Sequence, residues 1–183
     1  IKRSKEPAPR LRVLSDDEYI DLSKACMEID STYLYNAFIF SIETCVRQGE
    51  LLNAKWEHVN FEKRTLFIPD TKTGYLSKDL TSNRTIPLGS LALDILRQLP
   101  RHIKGSIFPI TRHQLNQKWK LAKKKSKIKD YHWHDNRCSG ISWAFEKKNL
   151  DVSEVMTLSG HKSPTILLKR YTKLNPTKIA MKI

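Results

Sequence analysis

A chain of 183 residues, 39% of them hydrophobic, with a mean hydropathy of −0.51, is long enough for one buried core and short for two. No apolar run approaches the roughly 18 residues of a membrane span, and three scattered cysteines (Cys26, Cys45, Cys138) with no C-x-x-C pair argue against a disulfide scaffold or a structural zinc site. The net charge of +14 and pI near 9.8 point instead to a polyanionic partner, with nucleic acid the default, met in a reducing compartment.

Residues 1–13, with Pro7 and Pro9 among basic residues, read as an extended linker. The start has neither a Met nor an apolar h-region and reads as a cut end rather than a signal peptide. In "LSDDEYIDLSKACMEI", Ser15 and Glu18 form a capping box, which predicts a helix start. "YLYNAFIFSIETCV" is apolar on most faces and predicts a buried helix. "GELLNAKWEHV", opened by Gly49 just after Arg47, predicts a short helix. "HVNFEKRTLFIP" and "NRTIPL" have the β-branched and aromatic residues of short strands, with a polar connection between them. From Gly89 onward helical patterns return in "SLALDILRQL", "RHQLNQKWKLAKKK", "HDNRCSGISWAFEKK" and "DVSEVMTLSG". Asp135 and Asp151 are the expected N-caps of the last two, and Ser163-Pro164 opens one more helix. The expected fold is α+β and mostly helical, with a small antiparallel sheet near residues 57–88.

Several residues could carry chemistry. "WHDNRCSGIS" puts His134 and Arg137 three residues apart, on one face at a helix start. Arg47 stands where the buried helix ends, with Glu50 three residues on. Lys72 lies just past a strand in "PDTKTGY", His161 follows a glycine in "SGHKSP", and Tyr171 ends "SPTILLKRY". Taken singly, each has an ordinary reading: a solvated arginine, a local ion pair, a loop lysine, a C-cap turn, a half-buried tyrosine. Seven lysines between Lys118 and Lys129 support phosphate contact without sequence preference.

Taken in order, the strings "TCVRQGELLNAKWEHVNF", "TKTG", "RTIPL", "HDNRCSGIS" and "LSGHKSPTILLKRY" resemble the catalytic domain of the tyrosine recombinases, the phage-integrase family, from about Leu14 to Tyr171. The resemblance implies a catalytic domain over residues 14–171. It also implies a separate DNA-binding domain ahead of the linker, and a tail, 172–183, that is exchanged between neighbours or packs on its own domain. The implied activity is site-specific DNA recombination, in which strands are cleaved and rejoined through a 3′-phosphotyrosine on Tyr171. Arg47 and Arg137 would fork onto the non-bridging phosphate oxygens, and His161 would add a further hydrogen bond. Those residue types suit the task, because a guanidinium binds oxyanions bidentately and keeps its charge. His134 would take the tyrosine proton, and Lys72 would protonate the departing 5′ oxygen.

A phosphotyrosyl link retains the bond energy of the phosphodiester, so neither a metal nor another cofactor is implied. Glu50 and Asp135 are candidates to orient Arg47 and the helix carrying His134. Arg84, Arg112, His113, Lys118, Lys120, Lys123, Lys124 and Lys125 are candidate DNA contacts, and Trp133 and Trp143 are expected in the core. The chain departs from the family pattern at Cys138, where many relatives have histidine, and at Ser159, where an apolar residue is usual. His161 and Tyr171 are ten residues apart rather than nine, and the connection "TGYLSKDLTSN" is long, which makes Lys78 a rival to Lys72.

The implied partner is double-stranded DNA, bound by a protein monomeric alone and tetrameric on paired sites, with accessory DNA-bending proteins. Its expected setting is the cytoplasm or nucleoid of a prokaryote, or a phage-encoded equivalent. The competing readings are a relaxing enzyme of the type IB topoisomerase kind, a catalytically silent DNA-binding module, and an RNA-binding domain. The last lacks an RNP-like aromatic pattern. Neither the target site nor the biological use, from phage integration to transposition or dimer resolution, is written in these residues.

Overall fold

The computed structural model describes residues 11–69, 83–101 and 105–171. Helix α1 (Asp16–Ile29) begins at the capping box read in the sequence: the Glu18 amide donates to the Ser15 hydroxyl and the Ser15 amide to the Glu18 carboxylate. Helix α2 (Leu34–Thr44) is buried everywhere except Tyr35 and Glu43. Its interior hydroxyls do not go unpaired, since Ser41 donates to the Phe38 carbonyl (2.8 Å) and Thr44 to that of Phe40 (2.6 Å).

Helix α3 (Gln48–Leu52) is shorter than the pattern over residues 49–59 predicts. The chain leaves the helix because the Ala54 carbonyl accepts the Ile107 amide (3.0 Å) and Lys55 bridges to Ser106, so a distant segment claims this backbone. A 3-10 turn (Trp56–His58) leads into β1 (Val59–Asn60), β2 (Thr65–Ile68) and β3 (Arg84–Pro87). They form an antiparallel sheet in the order β1-β2-β3, with Val59 opposite Leu66 and Leu66 opposite Ile86. The β1–β2 turn closes when the Asn60 side chain accepts the Lys63 amide (2.7 Å).

Helices α4 (Ser90–Gln98), α5 (Arg112–Lys125), α6 (Asp135–Glu146), α7 (Val152–Ser159) and α8 (Pro164–Tyr171) follow. Asp151 caps α7 as expected, but Asp135 does not cap α6. His134 holds that position, and Asp135 is the first helical residue, 3% exposed, its carboxylate accepting the His132 amide (2.7 Å). The Asp135 amide already donates to the His132 carbonyl (2.9 Å), so the chain curls one residue early and turns the carboxylate backward.

The main core gathers around α2, against which α1, α4 and α6 pack. Trp119, Tyr131 and Trp133 are buried in it, and Trp143 is half-buried against it. A second, smaller cluster (Cys45, Cys138, Ile141, Ala144, Val155, Leu158, Leu167) joins α6, α7 and α8. All three cysteines are buried and free. Residues 1–10 and 172–183, most of the expected linker and all of the tail, lie outside the described residues. Arg12, at the linker's end, is docked: it pairs with Glu18, donates to the Asp130 carbonyl and lies over the Tyr131 ring.

Helices α2 and α6 meet at Gly140. A Cβ there would stand 2.2 Å from the Ile42 carbonyl oxygen and 2.9 Å from the Cys45 sulfur. Gly140→Ala is therefore expected to lower stability by about 3 kcal/mol, the upper end for overpacking, because the obstructing atom is backbone. Urea denaturation reads this as a lower midpoint with unchanged slope. A midpoint equal to the parent's would mean that the two helices separate there at no cost.

Candidate active site

The site begins where α2 stops. Cys45 is left-handed (φ 54°) although it is not glycine, a conformation that costs roughly 1–2 kcal/mol for an L-residue. The turn points the Cys45 carbonyl at α6, where the Arg137 Nη1 donates to it. Arg137 Nη2 donates to the Ser159 carbonyl at the end of α7 (2.6 Å). One guanidinium, 5% exposed, thus ties two helix C-termini, the ends at which the helix dipole favours a cation. Burial lowers its pKa to about 10, assisted by the charge of Arg47, so it stays cationic at neutral pH.

Arg47 follows this turn as the cap residue of α3, with its side chain 41% exposed. The Glu50 carboxylate, 9% exposed, accepts both the Arg47 amide (2.7 Å) and Arg47 Nη1 (2.8 Å). It also accepts a two-pronged bond from Arg84 on β3, at 2.8 Å for each prong. Burial works against the charge of Glu50, but the Arg84 fork and the Arg47 amide outweigh it and hold the carboxyl down at about 2.

Helix α7 ends at Gly160, also left-handed (φ 73°), and delivers His161 beside Arg137. His161 Nδ1 lies 2.7 Å from the Ser159 hydroxyl and 3.5 Å from Arg137 Nη2. Ser159 Oγ lies 2.6 Å from the Val155 carbonyl, to which it donates. Because Ser159 spends its proton on Val155, it can accept from Nδ1 when that nitrogen carries the proton. His134 is exposed one turn ahead of Arg137, whose amide donates to the His134 carbonyl (3.2 Å). Tyr171 is the last residue of α8, which packs on α6 and α7. Lys72 and Lys78 lie outside the described residues.

The structure thus brings together Arg47 with Glu50, and Arg137 with His161, while Asp135 steadies the turn before His134 through its bond to the His132 amide. Sequence reasoning did not foresee the pairing of Arg84 with Glu50, the structural use of the Cys45 carbonyl, or the contact of Ser159 with His161. Only Ser159 left a signal, as a polar residue where the family resemblance implied an apolar one.

The candidate DNA contacts differ in their commitments. Lys118 pairs with Asp30 and Lys125 with Glu28, both acids contributed by the α1 side. Lys120, Lys123 and Lys124 line a groove with Leu121 and Ile128 and have no ion pair among the described residues. At the opposite end of α5, Arg112 Nη1 donates to Gln48 (3.0 Å), next to Arg47, and His113 contacts Gln117.

Comparison with known proteins places the chain by sequence and by fold. The model of the phage integrase family matches residues 12–178. The chain is 33% identical over 183 residues to the shufflon-specific DNA recombinase of Escherichia coli, an alignment that covers all of this chain and 45% of that protein. Its fold is that of the catalytic domain of bacteriophage HP1 integrase, with a TM-score of 0.69 at 17% identity over 95% of each chain. A Tn1549 transposon integrase in complex with a circular intermediate DNA gives a TM-score of 0.71 at 16% identity, over 98% of this chain and 68% of that one. The chain spans less than half the length of the E. coli relative.

The Glu50 arrangement gives stability a pH dependence of definite sign. A carboxyl whose folded value, about 2, lies below the unfolded value of about 4.3 stabilises the fold above the latter and loses that contribution as pH falls toward the former. Glu50→Gln is expected to cost about 3 kcal/mol at pH 7, by stranding two half-buried guanidiniums. It should also flatten the acid limb between about pH 4.3 and 2. Denaturation midpoints across that range test both, and an unaltered acid limb would show that Glu50 is not the titrating group.

Proposed function

The chain belongs to the phage integrase family, and from that premise we propose that it is the strand-cleaving domain of a site-specific DNA recombinase working through a 3′-phosphotyrosine on Tyr171. The observation that carries this reading is the buried Arg137 guanidinium, held on the ends of α2 and α7 so that Arg47 and His161 emerge beside it. Phosphoryl transfer asks for positioning and for preorganised positive charge on the non-bridging oxygens. Arg137 and Arg47 supply the charge, and His161 stands beside Arg137, its Nδ1 3.5 Å from Arg137 Nη2.

Tyr171 Oη bonds to phosphorus as the P–O5′ bond breaks. The phenolic proton passes to His134, whose exposure at the start of α6 suits that exchange. Lys72 donates a proton to O5′. Attack by the 5′ hydroxyl of a partner strand then releases Tyr171 and reseals the backbone, with no net change in bond types and no external energy source. Lys120, Lys123 and Lys124, uncommitted to acids, track phosphates, whereas Lys118 and Lys125 mainly brace α5 on α1. The DNA-bound assembly is a tetramer on paired sites, aided by DNA-bending proteins, with an additional DNA-binding domain completing the grip.

The test is a nicked duplex carrying the cognate site, which traps the covalent intermediate. The expected result is a protein–DNA adduct in a denaturing gel, attached through the 3′ phosphate and abolished by Tyr171→Phe. Arg137→Ala should lower single-turnover cleavage roughly 10²–10³-fold. An adduct that persists in Tyr171→Phe, or one joined to the 5′ side, overturns the mechanism. Alanine at Lys120, Lys123 or Lys124 should reduce the salt dependence of binding by about one per residue, and alanine at Lys118 should leave it nearly unchanged.

A further inference from the structure

Glu50 carries four hydrogen bonds on two oxygens. Oε1 accepts from Arg47 Nη1 and Arg84 Nη1, and Oε2 accepts from the Arg47 amide and Arg84 Nη2. An ionised carboxylate offers about four acceptor sites, so this one is full. The sharing is unequal. Arg84 holds the carboxylate fork to fork, the strongest mode of pairing for these groups, while the Arg47 guanidinium makes a single bond. Exposure follows the same division, at 41% for the Arg47 side chain and 17% for that of Arg84.

We infer that Arg84 is a positioning residue for strand cleavage: by occupying the bidentate edge of Glu50 it lets that carboxylate orient Arg47 without neutralising it, so that Arg47 keeps its charge and free N–H groups for the scissile phosphate. The inference rests on the proposed function, and it replaces the direct DNA contact that the sequence suggested for Arg84.

A second observation fixes Arg84 in this task. Its side chain runs through the space left by the missing side chain of Gly160: a Cβ there would lie 2.5 Å from Arg84 Nε and 2.7 Å from Cδ. The Nε–H is buried without a partner, so the two bonds to Glu50 are the hydrogen bonds of this guanidinium among the described residues. Arg84 thereby packs under the residue that precedes His161 while acting on Arg47 from the other side. With Arg84 gone, two acceptor sites on Glu50 open, and Arg47, already bonded to that carboxylate, is the donor at hand to fill them.

The decisive experiment is a suppressor test, because only this role makes loss of a second side chain beneficial. Arg84→Gln, Arg84→Lys, Glu50→Gln and the Arg84→Gln/Glu50→Gln double variant are compared in three ways: single-turnover adduct formation on the nicked site, DNA affinity against salt, and modification of Arg47 by phenylglyoxal in the free protein, read by peptide mass spectrometry. Arg84→Gln should slow adduct formation about 30-fold, less than the roughly 10²–10³-fold of a donor lost outright, with affinity and salt slope nearly unchanged and Arg47 protected from the reagent. Adding Glu50→Gln should recover about tenfold of the rate and restore Arg47 reactivity. Arg84→Lys, a cation with no fork, should fall between and remains readable if the glutamine variant folds poorly.

A drop of about one in salt slope for Arg84→Gln would make Arg84 a phosphate contact and overturn the inference. Failure of Glu50→Gln to restore both rate and Arg47 reactivity would make its role merely structural. Should the parent protein form no Tyr171-dependent adduct, the proposed function falls, and the phenylglyoxal pattern still decides what Arg84 does to Arg47.

Discussion

The site hangs on one buried cation. A guanidinium with 5% exposure is costly to remove from water unless acceptors replace the solvent. For Arg137 these acceptors are two main-chain carbonyls at the ends of different helices. Each helix stops through a left-handed residue, Cys45 in α2 and Gly160 in α7, and each turn releases a functional side chain almost at once: Arg47 two residues after Cys45, His161 directly after Gly160. The bonds that satisfy Arg137 are therefore the same bonds that aim Arg47 and His161. Removing them would leave a charge without partners and two turns without a reason for their geometry.

Around that cation the charges are deliberately unequal. Arg47, Arg84 and Arg137 share Glu50 as their carboxylate neighbour, and their mutual repulsion contributes to the lowered pKa of Arg137. Three guanidiniums around one carboxylate leave an excess of positive charge, which favours an anion in the pocket. The surrounding acids serve elsewhere. Asp30 and Glu28 engage the lysines of α5, and Glu43 engages Lys148 at 2.7 Å, so a basic protein keeps its negative charge mostly away from the place where an anion would bind.

What could be read in advance was local or familiar. The box at Ser15–Glu18 and the N-cap at Asp151 need only their own segment, and both are present as expected. The apolar run of α2 could hardly be anything but buried. The length of α3 was not legible, because its end depends on a bond from Ile107 to Ala54, made by a segment far along the chain. Asp135 failed as a cap for a subtler reason: a backbone turn before the helix engages its carboxylate in the other direction. The order of Arg47, His134, Arg137, His161 and Tyr171 was recognisable as a family pattern, whereas the spacing of each residue alone suggested nothing unusual. The partnership of Glu50 with Arg84 crosses 34 positions and obeys no periodicity, so only the fold could reveal it.

The smaller core has its own consequence. Among the described side chains of α8, Leu167 alone is buried, and it lies in the cluster with Val155 and Ile141 rather than in the main core. Arg47 and Glu50, by contrast, lie on the short helix that follows α2, beside the main core. Segments that pack through a small satellite cluster open at a fraction of the free energy of global unfolding. Arg137 on α6 and His161 just after α7 lie on or beside the other two elements of that cluster. Opening of that cluster would displace α8 while the main core stays folded.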